Sequence, residues 1–319
     1  MTMSDGRMSK ARESLIQQFI DALAQDQLPW TKGWVDLEPP VNAEQNRRYS
    51  GVNRLVLSLA ASQKGFSDNR WCTFATAKRN GWHVKKGEKG SPIEIWKVYR
   101  TDTKETLDFL EARRLLQDNP ELKPYFRPFS KNYTVFNAQQ LEGIPPLEKK
   151  EVSHEKVDAS QFVTQALNSM GVDVIHGGSR AYYELLSDSI HIPEPSQFLS
   201  QYEYNATLLH ETCHATGHSS RLNRDMRGSF GSEKYAKEEL RAEISSAFLM
   251  QDLGLKYDDK HIENHKAYIQ SWISVLKKDK NELFSAIKDA HGISDYVNKQ
   301  AEKNIEVKIK EMELTDTSI

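Results

Sequence analysis

The amino-acid sequence predicts an α+β fold in two parts, a small mixed N-terminal domain followed by a mostly helical C-terminal one. Three observations carry that expectation. Ser91-Pro92-Ile93-Glu94-Ile95-Trp96-Lys97-Val98-Tyr99 alternates apolar and polar residues, the mark of a half-buried strand, and Tyr133-Thr134-Val135-Phe136 supplies a partner. From residue 238 onward the apolar spacing is helical almost without a break, over 238–253, 258–277 and 280–311. Between the halves, residues 144–158 combine Pro145-Pro146 with a cluster of charge and little apolar content, the composition of a linker.

Taken in order, residues 9–28 set Leu15, Ile16, Phe19, Ile20 and Leu23 at helical spacing and close at Leu28-Pro29, so an amphipathic helix is expected. Trp30, Trp34 and the turn-forming Pro39-Pro40-Val41-Asn42 read as loop. Helical spacing resumes over 51–62, and 74–80 is a further short helix. Residues 100–130 form a charged insertion of helix and loop. Past the linker come a helix over 159–170, a strand over 172–175, a turn at Gly177-Gly178, a strand over 189–192 and a helix starting near Tyr204. The expected domains are 1–145 and 159–300, joined by 146–158 and followed by a charged helical tail, 301–319.

In 319 residues a hydrophobic share of 38% is adequate for packed cores, and 28% charged residues fit a soluble chain. No apolar run approaches the roughly 20 residues a membrane helix needs. Met1 to Arg12 is polar and lacks the apolar centre of a signal peptide, so a cytoplasmic location without membrane contact is expected. Cys72 and Cys213 are far apart and read as reduced thiols. A net charge of -2 hides segregation, because Arg70, Lys78, Arg79, Lys85, Lys86, Lys89 and Lys97 face only Glu88 and Glu94 over 70–97.

The sharpest motif is His210-Glu211-Thr212-Cys213-His214, an H-E-x-x-H in an apolar run. On a helix, histidines four apart share a face and can bind one Zn²⁺ or another divalent ion such as Mn²⁺. Glu211, one position round, is placed as general base for the water that the cation acidifies. Cys213 falls on the opposite side and reads as packing. Two histidines leave the ion one protein ligand short. The run Glu238-Glu239-Leu240-Arg241-Ala242-Glu243 supplies it in the manner of gluzincin-type sites, with Glu239 as third ligand and Glu243 accepting a ligand-histidine N–H. Those two roles are open to exchange, Glu238 is expected to point elsewhere, and His218 is a further competitor. Tyr182, Tyr183 and Tyr235 are candidate donors to an oxyanion. The strand Ile190-His191-Ile192-Pro193 is a candidate edge for an extended peptide, with His191 on its surface.

Five of the six tryptophans, Trp30, Trp34, Trp71, Trp82 and Trp96, lie in the first hundred residues beside the basic cluster. Aromatic faces stack bases and cations neutralise phosphates, so Arg70, Trp71, Trp82, Lys85, Lys86 and Lys89 are the candidate contacts to single-stranded DNA. The glycines of Lys85-Lys86-Gly87-Glu88-Lys89-Gly90 let backbone approach phosphate. A tryptophan core and a solvated turn are the plainer alternatives.

These residues also carry a resemblance to the ArdC-type antirestriction proteins. In the N-terminal part it rests on Tyr49-Ser50-Gly51-Val52-Asn53, Arg70-Trp71-Cys72-Thr73-Phe74, Val84 to Gly90, and Val135-Phe136-Asn137-Ala138-Gln139-Gln140. In the C-terminal part it rests on Ala181-Tyr182-Tyr183, Asp188, Ile190 to Pro193, His210 to His214, Thr216-Gly217-His218 with Arg221-Leu222, and Glu238-Glu239-Leu240. Cys213 departs from the uncharged, usually aliphatic residue of the family. The resemblance implies a single-stranded-DNA-binding N-terminal domain and a zincin-like metallopeptidase domain, in a protein that shields incoming DNA from host restriction. It leaves the protein substrate unnamed. Two other readings stay open, a DNA-binding protein with a purely structural metal and an accessory to a primase.

Overall fold

The computed structural model describes residues 10–25, 28, 38–147, 158–229, 231–255 and 266–316. Trp30, Trp34 and most of the expected linker lie outside the described residues. Contacts divide the chain into two compact units, Pro40–Ala60 with Phe66–Pro146, and Met1–Pro39 with Ala61–Gly65 and Leu147–Ile319.

The unit from Pro40 to Pro146 is built on β1 (Val41–Asn42), β2 (Arg70–Thr73), β4 (Ser91–Arg100), β5 (Thr106–Asp108) and β6 (Phe126–Asn137), in the spatial order β1-β2-β6-β4-β5. β3 (His83–Val84) and β7 (Leu141–Glu142) pair separately. Its helices are α2 (Gly51–Lys64), α3 (Phe74–Arg79) and α4 (Phe109–Asp118). Asn53 pins α2 to the sheet, its amide donating to Glu94 O at 2.6 Å and accepting the Glu94 N–H at 2.8 Å. α3 and α4 start at side-chain caps, Thr73 accepting from Thr76 N and Asp108 from Glu111 N.

β6 is three times the length of its expected segment and takes five residues, 126–130, from the supposed insertion. From Arg127 to Asn132 every residue is exposed, so the strand carries no alternation for sequence to show. At the mouth of β4, a Cβ on Gly90 would collide with Thr134 Cγ2 and sit 2.7 Å from Val135 O. Glycine there lets the two strands close.

The other unit is mostly helical: α1 (Lys10–Ala24), α5 (Ala159–Met170), α6 (Gln201–Ala215), α7 (Glu233–Asp252), α8 (Lys266–Lys278) and α9 (Glu282–Asp316). Helix α1, although N-terminal in sequence, packs on α8 in this unit. Phe19 and Leu23 are fully buried. Each contributes roughly 1.5–3 kcal/mol through burial, and periodicity predicts the apolar face without naming its partner. α9 continues through residue 300 without a break.

A three-stranded sheet completes the unit. β10 (Ser189–Ile192) lies between β8 (Asp173–His176), to which it runs parallel, and β9 (Tyr182–Glu184), to which it is antiparallel. The expectation that Ile190 to Pro193 forms an open edge is therefore corrected. β10 is hydrogen-bonded on both sides, and the edge beside the metal motif is β9.

Candidate metal centre

Helix α6 starts at Ser200, whose Oγ accepts the Glu203 N–H. Leu208, Leu209 and Cys213 are buried and turn the histidine face toward α7. His210 and His214, one turn apart, bring their Nε2 atoms to 3.0 Å of each other. Helix α7 starts at Ser232 and runs alongside, with Ala242, fully buried and small, at its centre.

From α7, Glu239 reaches between the rings, Oε2 lying 3.5 Å from His210 Nε2 and Oε1 3.4 Å from His214 Nε2. One donor atom from each of His210, His214 and Glu239 falls within 4.8 Å of the others. Two imidazole nitrogens and a carboxylate converging on one point are the donor chemistry of a divalent cation, and at that spacing the residues fit one. Glu243 Oε1 lies 3.3 Å from His210 Nδ1, on the outer side of that ring. Glu238 does the same for His214, its Oε1 3.4 Å from Nδ1, so it does not point elsewhere as expected. Residues 238 and 239 are about 100° apart on a helix, and where α6 crosses α7 both face the motif. His218 is outside the cluster and contacts Ser220 and Asp188.

Electrostatics agree with that geometry. Burial opposes charge on both rings, yet Glu243 and Glu239 raise His210 above its ordinary pKa, while Glu239 and Glu238 raise His214 well above it. Burial likewise works against ionised carboxylates. The histidines nevertheless hold Glu239 far below the usual carboxylate range, and His214 with Arg224 lowers Glu238 to about 2. Glu211 is the exception. Burial outweighs the neighbouring rings and pushes it up, and its carboxylate accepts the Tyr183 backbone N–H from β9.

Two arginines tie down the end of α6: Arg221, which the resemblance placed in the family pattern without a role, and Arg224, which it did not single out. Arg224 donates to Cys213 O at 2.8 Å, to Thr216 Oγ1 at 2.6 Å and to Glu238 Oε1 at 2.6 Å. Arg221 donates to Ala215 O at 2.8 Å and pairs with Asp188, which also accepts the Tyr183 hydroxyl at 2.6 Å. Both satisfy carbonyls that a helix end leaves open and place positive charge where its dipole is negative. The signal was present as two arginines within a few residues of the helix end.

The centre opens into a cleft of about 610 Å³ lined by Tyr182, Tyr183, Glu211, Met226, Tyr235 and Tyr268 among others. Of the candidate tyrosines, Tyr183 is engaged by Asp188, and Tyr235 has its hydroxyl 3.2 Å from that of Tyr268. His191 is half-buried and stacks on Tyr182, with centroids 4.8 Å apart.

Of the candidate DNA contacts, Lys85, Lys86 and Lys89 are exposed and Trp71 is not. Trp71 has no exposure and meets the edge of Phe66, so it offers no face to a base. It lies on β2, which is paired on both sides. Trp82 is half-buried against Cys72, Ala77 and Leu141. Arg70 pairs with Asp68 at 2.7 Å and donates to Pro145 O. Lys85 Nζ donates to Gln139 O at 2.8 Å, and Lys86 and Lys89 are exposed.

This fold and donor set define a two-part chain whose C-terminal part is a zincin-like divalent-metal domain. Residues 161–289 match the family of zincin-like metallopeptidases, and residues 9–136 match the N-terminal domain of anti-restriction factor ArdC. Among solved structures, the metal-free ArdC of plasmid R388 superposes with a TM-score of 0.73 at 32% identity, over 92% of this chain and 99% of that one. Its Mn(II)-bound form gives 0.71 at 32% identity, over 91% and 97%. A DNA primase TraC of Escherichia coli is 39% identical across 92% of this chain, and protein y4eC of Sinorhizobium fredii 36% identical across 88%. The chain spans 27% and 20% of the two TraC primases it matches, but 88% of y4eC. The chain belongs to the ArdC family of antirestriction proteins. Among the described residues no helix is long and apolar enough to cross a membrane.

Proposed function

We propose that the chain is a cytoplasmic antirestriction protein that binds single-stranded DNA and hydrolyses a peptide bond at a zinc or manganese centre held by His210, His214 and Glu239. The observation that carries the reading is the convergence of those three donor groups beside Glu211. When bound, the metal polarises a carbonyl and brings the pKa of a water ligand toward about 7. Glu211, raised by burial, accepts the proton of the attacking water and passes it to the leaving amine. Tyr235 and Tyr268 stand in the cleft as donors to the developing oxyanion. β9, the outer strand whose Tyr182 and Tyr183 line the cleft, is where an extended substrate docks. Glu238 and Glu243 hold the ligand rings by their Nδ1 atoms.

The test combines metal content, peptidase activity and DNA transfer into a restricting host for wild type, Glu211→Gln and His214→Ala. Glu211→Gln keeps stoichiometric metal and loses hydrolysis, and His214→Ala loses metal. Metal retained by His214→Ala refutes the centre, whereas full protection by Glu211→Gln leaves a structural metal as the answer. The identity to TraC favours a second reading, a primase accessory, which requires primer synthesis to rise when the chain is added to a primase.

A further inference from the structure

Strands β4 and β6 pair antiparallel from Ser91 opposite Val135 to Arg100 opposite Phe126. Side chains alternate across a strand, so Ile95, Lys97 and Tyr99 share a face with their register partners Lys131, Phe129 and Arg127. Every one of these pairs sets a cation against an apolar side chain. Tyr133 extends the row on β6, with Lys131 Nζ 5.4 Å from its ring centroid. Tyr99 and Phe129 are 36% and 39% exposed although both are large aromatics on a sheet. α4 packs on one end of the opposite face, where Ala112 meets Val98 and Phe126, while Pro128, Ser130 and Trp96 of that face stay exposed.

Charges around the row are few. Asp108 on β5 lies opposite Lys97, but its carboxylate is turned to cap α4, accepting the Glu111 N–H at 2.8 Å. Arg127 donates from Nη1 to Pro124 O and Phe126 O.

A protein partner is a poorer occupant, because lysine is depleted from the centres of protein interfaces and here Lys97 and Lys131 stand in two of the three pairs. Alternating rings and cations match a polymer that alternates flat bases with phosphates. Tyr99 and Phe129 are diagonal neighbours, roughly 7–8 Å apart. That is about twice the 3.4 Å rise per nucleotide of a stacked strand. Rings so spaced take bases only from an extended, unstacked chain, which a duplex does not offer. Sheets that present aromatic side chains in this way stack two or three bases.

We propose that this face of the β4–β6 ribbon is the single-stranded-DNA platform, with Tyr99, Phe129 and Tyr133 stacking on bases and Lys97, Arg127 and Lys131 facing phosphates. The proposal rests on the reading of this chain as a single-strand binder. It moves the contact away from Trp71 and the Lys85 loop.

The experiment is fluorescence anisotropy of a labelled oligothymidylate, alone and as a duplex, with the full chain. Tyr99→Ala and Phe129→Ala each weaken single-strand binding by about 5- to 150-fold. The pair Tyr99→Phe with Phe129→Tyr keeps the rings and stays near wild type, which separates stacking from damage to the fold. Lys131→Ala lowers the slope of log affinity against log salt by about 0.7. Phe74→Ala, which removes a 60% exposed ring on α3, changes nothing. If wild type binds single strands and the two alanine variants bind equally well, the platform is wrong while the functional reading stands. If wild type binds none, both fall. A change of oligomeric state in the alanine variants, with DNA affinity intact, assigns the face to a second protein and overturns the proposal.

Discussion

Replacing Glu238 by alanine separates two jobs of one carboxylate. Glu238 holds His214 by Nδ1 at 3.4 Å and receives Arg224 at 2.6 Å, and both partners are nearly buried, with side-chain exposures of 10% and 11%. Losing an outer partner of a ligand histidine lowers metal affinity by about 10- to 100-fold. At 25 °C that is roughly 1.4–2.7 kcal/mol. The second effect is on the fold, since breaking a buried ion pair costs about 3–5 kcal/mol by stranding the remaining charge. Arg224 keeps Cys213 O and Thr216 Oγ1 as acceptors, which sets the cost near the lower end. Glu238→Gln retains an acceptor and gives an intermediate loss of both. Glu243→Gln loses the carboxylate that faces His210 Nδ1 and lowers metal affinity in the same way. Isothermal titration with MnCl₂ or ZnCl₂ reads the affinity, and calorimetric melting of the metal-free protein reads the fold. Metal binding by Glu238→Ala indistinguishable from wild type would refute the argument that this carboxylate orients His214.

Three further outcomes are expected. Gly90→Ala forces a methyl against Thr134 and Val135 O, and overpacking of that kind destabilises by about 1–3 kcal/mol, seen as a lower melting temperature with metal binding unchanged. Cys72 is pushed up to about 11 by burial, and burial raises Cys213 as well, so a thiol reagent at neutral pH labels neither in the native protein and both in denaturant; rapid native labelling contradicts the packing. Burial works against Asp188, but Arg221 and the Tyr183 hydroxyl outweigh it and lower its pKa in the fold. Its stabilisation is therefore present above the unfolded value of about 3.9 and lost as pH falls through the lower folded value. Asp188→Asn melts below wild type at neutral pH, and the two curves converge under acid; a constant gap down to the lowest pH would show that the ion pair is not its source.

Local spacing made the metal centre legible, and tertiary crossing hid its supports. His210, Glu211 and His214 are related by one helical turn, so their common face follows from the sequence alone. Which of three near-consecutive glutamates looks at which ring depends on how α7 crosses α6, a fact no local pattern contains. Glu238 lies one step round from Glu239, and the crossing turns that step toward His214. The proposed DNA surface was hidden for a different reason. Composition located aromatic and cationic side chains in one stretch of chain, but a base needs a ring and a cation on one exposed face. On β2 Trp71 is fully buried, whereas the end of the expected insertion supplies Arg127 and Phe129, with Lys131 just beyond it, to the exposed stretch of β6. Those residues read as featureless because a strand exposed on both faces shows no period of two. The absence of alternation that concealed β6 is thus the same property that leaves its rings accessible.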